Sequence, residues 1–179
     1  DQTLCGTSTT LFGNTPVTGT GSWSVVSGLG GTIATPGSAT SGFSGLAGTV
    51  YTLRWTISNA PCAASTDDVS VTFTANPTAA SAGPDQAVCG TSVTLAANTP
   101  STGTGLWTVV SGAGGSIASP GNAASAFTGI SGTIYTLRWT ISNAPCPASV
   151  DDVVINLAAN PTTANAGPNQ TICATSTTL

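Results

Sequence analysis

The sequence predicts an all-β chain: tandem antiparallel β-sandwich domains joined head to tail. Three observations carry this expectation. The stretch YTLRWTISNAPC is written twice without a change, at Tyr51–Cys62 and at Tyr135–Cys146. Apolar residues alternate with Thr and Ser in steps of two, the period of a strand with one buried face. Gly and Pro break that alternation at roughly ten-residue intervals, the spacing of short strands joined by turns.

Along the chain, Thr9 to Gly13, Gly21 to Ser27 and Ala39 to Ser44 read as three short strands separated by GNTPVTGTG and SGLGGT. In the strand Tyr51–Asn59, Tyr51, Leu53, Trp55 and Ile57 face one way and Thr52, Arg54, Thr56 and Ser58 the other. The next strand sets Val69, Val71 and Phe73 inward, and Val153, Ile155 and Leu157 take their places in the second copy. Between copies the inner positions exchange apolar for apolar, whereas outer Ser70 becomes Val154 and Thr72 becomes Asn156. By the same alternation Trp23, Trp55, Trp107 and Trp139 are core residues rather than an exposed platform for sugars.

The repeat period is 84 residues, and about two-thirds of the aligned positions are identical with no insertion across the first period. So long a period suits a small domain rather than a solenoid rung. The expected division is 1–77 as repeat 1, lacking its leading strand, 78–161 as repeat 2, and 162–179 as the first strands of a third. Asn169–Leu179 follows Asp1–Leu11, so the chain reads as a stretch of a longer array.

Charged residues make up 4% of the chain, with Arg54 and Arg138 the only basic ones and a formal net charge of −4. Hydroxyls do the hydrating instead, since Thr and Ser supply roughly three residues in ten. A nucleic-acid partner needs clustered Lys or Arg, which this chain does not offer. Its longest mainly apolar stretch, near Val153 to Ala159, falls far below the ~20 residues of a membrane span. Catalysis lacks a base: there is no His, Lys or Glu, and adjacent Asp67 and Asp68 diverge to opposite faces of a strand. SGLGGT has no Lys and no following helix, so it is a turn and not a phosphate loop. The cysteines are never spaced C-x-x-C, which leaves no zinc site. No cofactor is expected. The weak exception is Ca²⁺, for which Asp67, Asp68 and Asp85 are the candidate ligands. Arg54 and Arg138, outward in mid-strand, are expected to shield the flanking Trp edge and pair loosely with a neighbouring Asp, or else to make an inter-strand or inter-chain contact.

The runs AGPDQAVCGTSVTL (Ala82–Leu95), GLWTVVSG, GTIYTLRWTISN and DDVVINL resemble the immunoglobulin-like, polycystic-kidney-disease-type (PKD-like) repeats of long cell-surface adhesins in gliding, Bacteroidota-type bacteria. The likeness covers nearly all of both periods. It implies seven-stranded sandwiches strung into extracellular fibres, exported by a dedicated secretion system. SWSVVSG keeps the family's Trp and lacks its GDG-like acidic turn, so that turn's metal or carbohydrate role is not carried over.

Five cysteines, Cys5, Cys62, Cys89, Cys146 and Cys173, make two per period with Cys173 opening the next. Without a metal partner, disulfides in an oxidising exterior are expected. In an immunoglobulin-like sandwich the second and sixth strands run the same way; Cys5 precedes the second and Cys62 follows the sixth. They then sit at opposite poles about 20 Å or more apart, whereas a disulfide spans only ~4.4–6.8 Å between Cα atoms. Topology thus favours Cys5–Cys146 across repeats, with Cys89 reaching forward and Cys62 backward. Cys5–Cys62 and Cys89–Cys146 within repeats stay as the alternative. Two functions follow: a disulfide-stabilised structural repeat of a secreted or cell-surface stalk, whose partners are neighbouring repeats or copies, or a module that grips polysaccharide or another cell.

Overall fold

A computed structural model describes residues 1–169, Thr171 and Cys173. The remainder of the expected third repeat, with most of its first strands, lies outside the described residues. Among the described residues there are fourteen strands and no helix, and so none long and apolar enough to cross a membrane. The first seven are β1 (Gln2–Cys5), β2 (Ser8–Thr10), β3 (Thr20–Ser27), β4 (Thr32–Ile33), β5 (Gly42–Ser44), β6 (Thr49–Ser58) and β7 (Ser65–Thr74). Their counterparts are β8 (Gln86–Cys89), β9 (Ser92–Thr94), β10 (Thr104–Ser111), β11 (Ser116–Ile117), β12 (Ala126–Thr128), β13 (Thr133–Asn143) and β14 (Cys146–Ala158).

Each set of seven forms a four-stranded and a three-stranded sheet, ordered β1-β7-β6-β3 with β2-β5-β4, and β8-β14-β13-β10 with β9-β12-β11. This is an immunoglobulin-like sandwich. One pairing departs from the antiparallel expectation: β1 lies parallel to β7, and β8 to β14. The first strand caps the last strand of the larger sheet, then turns at Gly6 or Gly90, both with positive φ, and crosses to the smaller sheet as β2 or β9. A left-handed backbone at that corner suits glycine, which has no Cβ to clash. Sequence reasoning missed β1 and β4. Both are short, and β4 pairs over only two residues with β5, so partners rather than local pattern define it.

Alternation on β6 and β13 sets the core. Tyr51, Leu53, Trp55, Val71 and Phe73 are buried in one sandwich, and Tyr135, Leu137, Trp139, Ile155 and Leu157 in the other. Trp23 stacks at a tilt on Trp55 and Trp107 on Trp139, with ring centroids 5.1 Å apart in both. The pair meets across β3–β6 and β10–β13, where the tryptophans are direct cross-strand partners. Gly105 makes room for this, since a Cβ there would collide with the Trp139 ring.

The tyrosine that opens each copy of the invariant stretch ties two loops to the core. Tyr135 Oη accepts a hydrogen bond from the Ile130 N–H (2.7 Å) and donates to the Ala113 carbonyl (3.0 Å). Tyr51 does the same with Leu46 and Leu29. Tyr135→Phe keeps the ring and strands both backbone groups. It should cost about 1–3 kcal/mol in urea unfolding, the usual loss when buried donors and acceptors are left unpaired; a change within error would mean the loops re-pair elsewhere.

Candidate functional site

The chain's distinctive site is the joint between sandwiches, and it starts from the β13–β14 hairpin. From Tyr51 and Tyr135 onward β6 and β13 share one sequence up to the cysteine, yet β6 ends at Ser58 and β7 begins at Ser65, whereas β13 runs to Asn143 and β14 starts at Cys146. The second hairpin is zipped to its tip, with Asn143 paired to Cys146. In the first, Asn59–Ala64 forms no strand. The difference lies in what the tip touches.

Cys146 is disulfide-bonded to Cys5, with Cα atoms 4.8 Å apart and 141 residues between them in sequence. Cys5 ends β1, and the parallel β1–β7 pairing places it beside Thr74 at the close of β7. That pole of the first sandwich receives the hairpin tip of the second. Asn143 Nδ2 donates to the Ala75 carbonyl at 2.7 Å across the joint. Cys5 and Cys62 therefore lie at opposite ends of one sandwich, because β6 begins where β7 ends. Cys62 and Cys89 are unbonded and exposed, and so is Cys173.

Beyond the joint, Thr78–Gly83 lies along the second sandwich. Its Ala80 N–H donates to Ser149 Oγ (2.9 Å) and its Ala82 N–H to Asp151 Oδ2 (2.7 Å). Asn98 clasps the same segment by accepting from the Ser81 N–H and donating to the Ala79 carbonyl, both at 2.9 Å. Ala82 is buried in the second core and Ala80 packs against it.

The four tryptophans sit inside, at 6% (Trp23), 5% (Trp55), 2% (Trp107) and 0% (Trp139) exposure, as core residues rather than an exposed platform. The calcium candidates are not brought together. Asp67 and Asp68 leave β7 on opposite faces; Asp68 is held by Arg54, and Asp85, which belongs to the second sandwich, accepts at Oδ1 from the Val154 N–H of that same sandwich (2.8 Å). Among the described residues no three acidic or cysteine side chains form a metal-holding group.

Arg54 grips Asp68 through two hydrogen bonds, Nε to Oδ1 at 2.7 Å and Nη2 to Oδ2 at 2.8 Å, and Arg138 grips Asp152 identically. These are direct cross-strand partners on β6–β7 and β13–β14, a tighter arrangement than loose shielding. The guanidinium's hydrogen bonds, then its charge, hold each carboxylate below the ordinary Asp range. A carboxylate with a lowered folded pKa stabilises above its unfolded pKa, near 3.9, and the contribution is lost as pH falls through the folded value. Both pairs are solvent-exposed, so the effect is small. A double-mutant cycle on Arg138 and Asp152 should show weak coupling at pH 7 that is lost once acid protonates Asp152; coupling that persisted after that protonation would refute the ion pair as its source.

No protein-family model matches this sequence, and no curated protein matches it. Among solved structures, murine CEACAM1b is similar with a TM-score of 0.51 and 16% identity, over 88% of this chain and 96% of that one. The insect immune protein hemolin has a TM-score of 0.48 and 11% identity over 89% of this chain, which spans 44% of the hemolin chain. The first two immunoglobulin domains of DIP-gamma give 0.44 and 15%, over 88% of this chain and 93% of theirs. The CEACAM1b likeness supports the immunoglobulin-like fold.

Proposed function

We propose that the chain is a structural segment of a secreted or cell-surface stalk, built from PKD-like, immunoglobulin-like repeats of the gliding-bacterial adhesin type. The division at 77/78 and 161/162 is the unit of that array. One observation carries the reading: the Cys5–Cys146 bond staples one repeat to the next rather than closing either. A disulfide within a sandwich would stabilise a module; one across a joint stiffens a string. Such a bond persists only in an oxidising setting, which supports an extracellular location. The residues at the joint recur in both repeats, as do the hydroxyl-rich strand faces that hydrate an uncharged rod. A polysaccharide-gripping module gains no support from the buried tryptophans.

The test has two arms. Electron microscopy of the oxidised chain should show a straight two-bead rod, with the angle between beads spreading after reduction. A glycan array should stay blank; specific glycan binding, or equal bending with and without reductant, would overturn the stalk.

A further inference from the structure

The larger sheet of the second sandwich turns one face to solvent. On β10, β13 and β14 the residues that alternate with the buried Trp107, Leu137, Trp139 and Val153 point outward, and the cross-strand register sets them in rows. Thr108, Arg138 and Asp152 form a central row, with Leu106, Thr140 and Val150 as the row on one side of it. On the other side Val154 lies opposite Thr136, and Ile134 stands one row further. Leu106, Ile134 and Val150 are half exposed or more, and Val154 more than a third. Four branched apolar side chains thus surround one ion pair on an otherwise hydroxyl-bearing surface. The first sandwich lacks the feature: at the positions of Leu106, Val150 and Val154 it has Ser22, Thr66 and Ser70.

This face is not an end of the array. All four strands of its sheet are present, and a neighbouring repeat leaves such a face open. The first sandwich has a repeat after it and the second a repeat before it, yet their outward sites are equally exposed: Val50 56% and Ile134 59%, and the side chains of Arg54 and Arg138 42% and 41%. A head-to-tail neighbour on either side therefore does not reach this surface. A partner for it comes from outside the string.

We propose that this face is a lateral contact between two copies of the chain, packed sheet on sheet about a two-fold axis that runs along the strands between β13 and β14. Such an axis keeps the strands of the two copies parallel, so two strings lie side by side in the same direction. Charge fits a second copy. The axis sets Arg138 of each chain over Asp152 of the other. The fork within one chain engages Nε and Nη2, so Nη1 keeps its donors for the carboxylate across the axis, and neither charge is buried alone. Shape follows the same operation: Val150 of one copy falls between Thr140 and Leu106 of the other, and Val154 between Thr136 and Ile134. Area suffices as well. With strands about 4.8 Å apart and about 3.4 Å per residue, the face covers roughly 500 Å² per copy, or about 1,000 Å² for the pair, the lower bound of a specific contact. One such contact is weak, and contacts repeated along aligned strings reinforce one another.

The test starts from a Cys62→Ser, Cys89→Ser, Cys173→Ser chain, in which thiols cannot link copies. Sedimentation equilibrium up to about 1 mM should show a monomer–dimer equilibrium. Leu106→Ser, Val150→Thr and Val154→Ser together install the first sandwich's own residues, so the melting temperature should hold while association weakens by about tenfold or more. Adding Ser22→Leu, Thr66→Val and Ser70→Val to that variant builds the pattern around the Arg54–Asp68 fork and should restore the dimer. A chain monomeric throughout, a transplant that restores nothing, or association that survives the triple change and so arises at the chain ends or another surface would overturn the proposal. So would a monomeric chain that binds phosphatidylcholine vesicles and loses that binding in the triple variant, since the occupant would then be a bilayer. The inference goes beyond the stalk reading and does not depend on it: its failure leaves the Cys5–Cys146 rod untouched, whereas failure of the stalk shows as bending independent of reduction.

Discussion

Pulled from its two ends, the oxidised chain should extend only through residues outside the Cys5–Cys146 loop, and reduction should release a further length of about 480 Å. The bond lies across 141 residues of sequence, and an extended chain spans about 3.4 Å per residue. Unfolding either sandwich inside that loop cannot lengthen the covalent path, so force passes through the sulfurs. Single-molecule stretching with and without reductant reads this directly; full extension under oxidising conditions would mean the bond does not form. Equilibrium stability should move as well. Cys5→Ser or Cys146→Ser frees a long loop in the unfolded state and should cost about 2–5 kcal/mol. The mechanical effect is the larger one, because it is set by connectivity rather than by a balance of free energies.

The strands were legible where burial writes a period-two code, as in Tyr51–Ile57 and Val69–Phe73, because each side chain's face decides whether it can be polar. The joint was legible for a different reason: direction of travel along adjacent strands excludes Cys5 from Cys62 whatever the detailed packing. Residues whose structure depends on a neighbour were harder to read. β4 exists through its partner β5, and the longer β13–β14 hairpin differs from β6–β7 despite an identical stretch, since only its tip is bonded to another repeat. The Arg–Asp forks were half legible. An outward Arg suggests an acidic partner, but the register that sets Arg54 opposite Asp68 is fixed by the whole sheet. The calcium candidates are not brought together, which one residue's position cannot reveal: Asp85 is spent inside its own sandwich on the Val154 N–H, while Asp67 and Asp68 belong to the first sandwich.

Trp139→Ala should unfold the second sandwich at temperatures where the first remains folded. Trp139 is fully buried, stacks on Trp107, and has an indole N–H with no protein acceptor, so the loss is one of packing, not of hydrogen bonding. Removing such a ring costs about 3–5 kcal/mol. The whole stability of an 84-residue unit is about 4–13 kcal/mol at ordinary per-residue values, so the substitution removes a large share of it and should lower the melting temperature of that sandwich by about 12 °C or more. Three tryptophans remain: Trp107 reports the second sandwich, and Trp23 and Trp55 report the first, whose transition should stay near its original temperature. Trp55→Ala should cost less than Trp139→Ala, because in the first sandwich the pair borders an open groove and truncation there creates a partly hydrated recess instead of a sealed cavity. Equal losses at the two sites would show that the groove face is as closed in solution as its counterpart under Thr78–Gly83, and a loss at Trp139 below about 1 kcal/mol would contradict its place at the centre of the core.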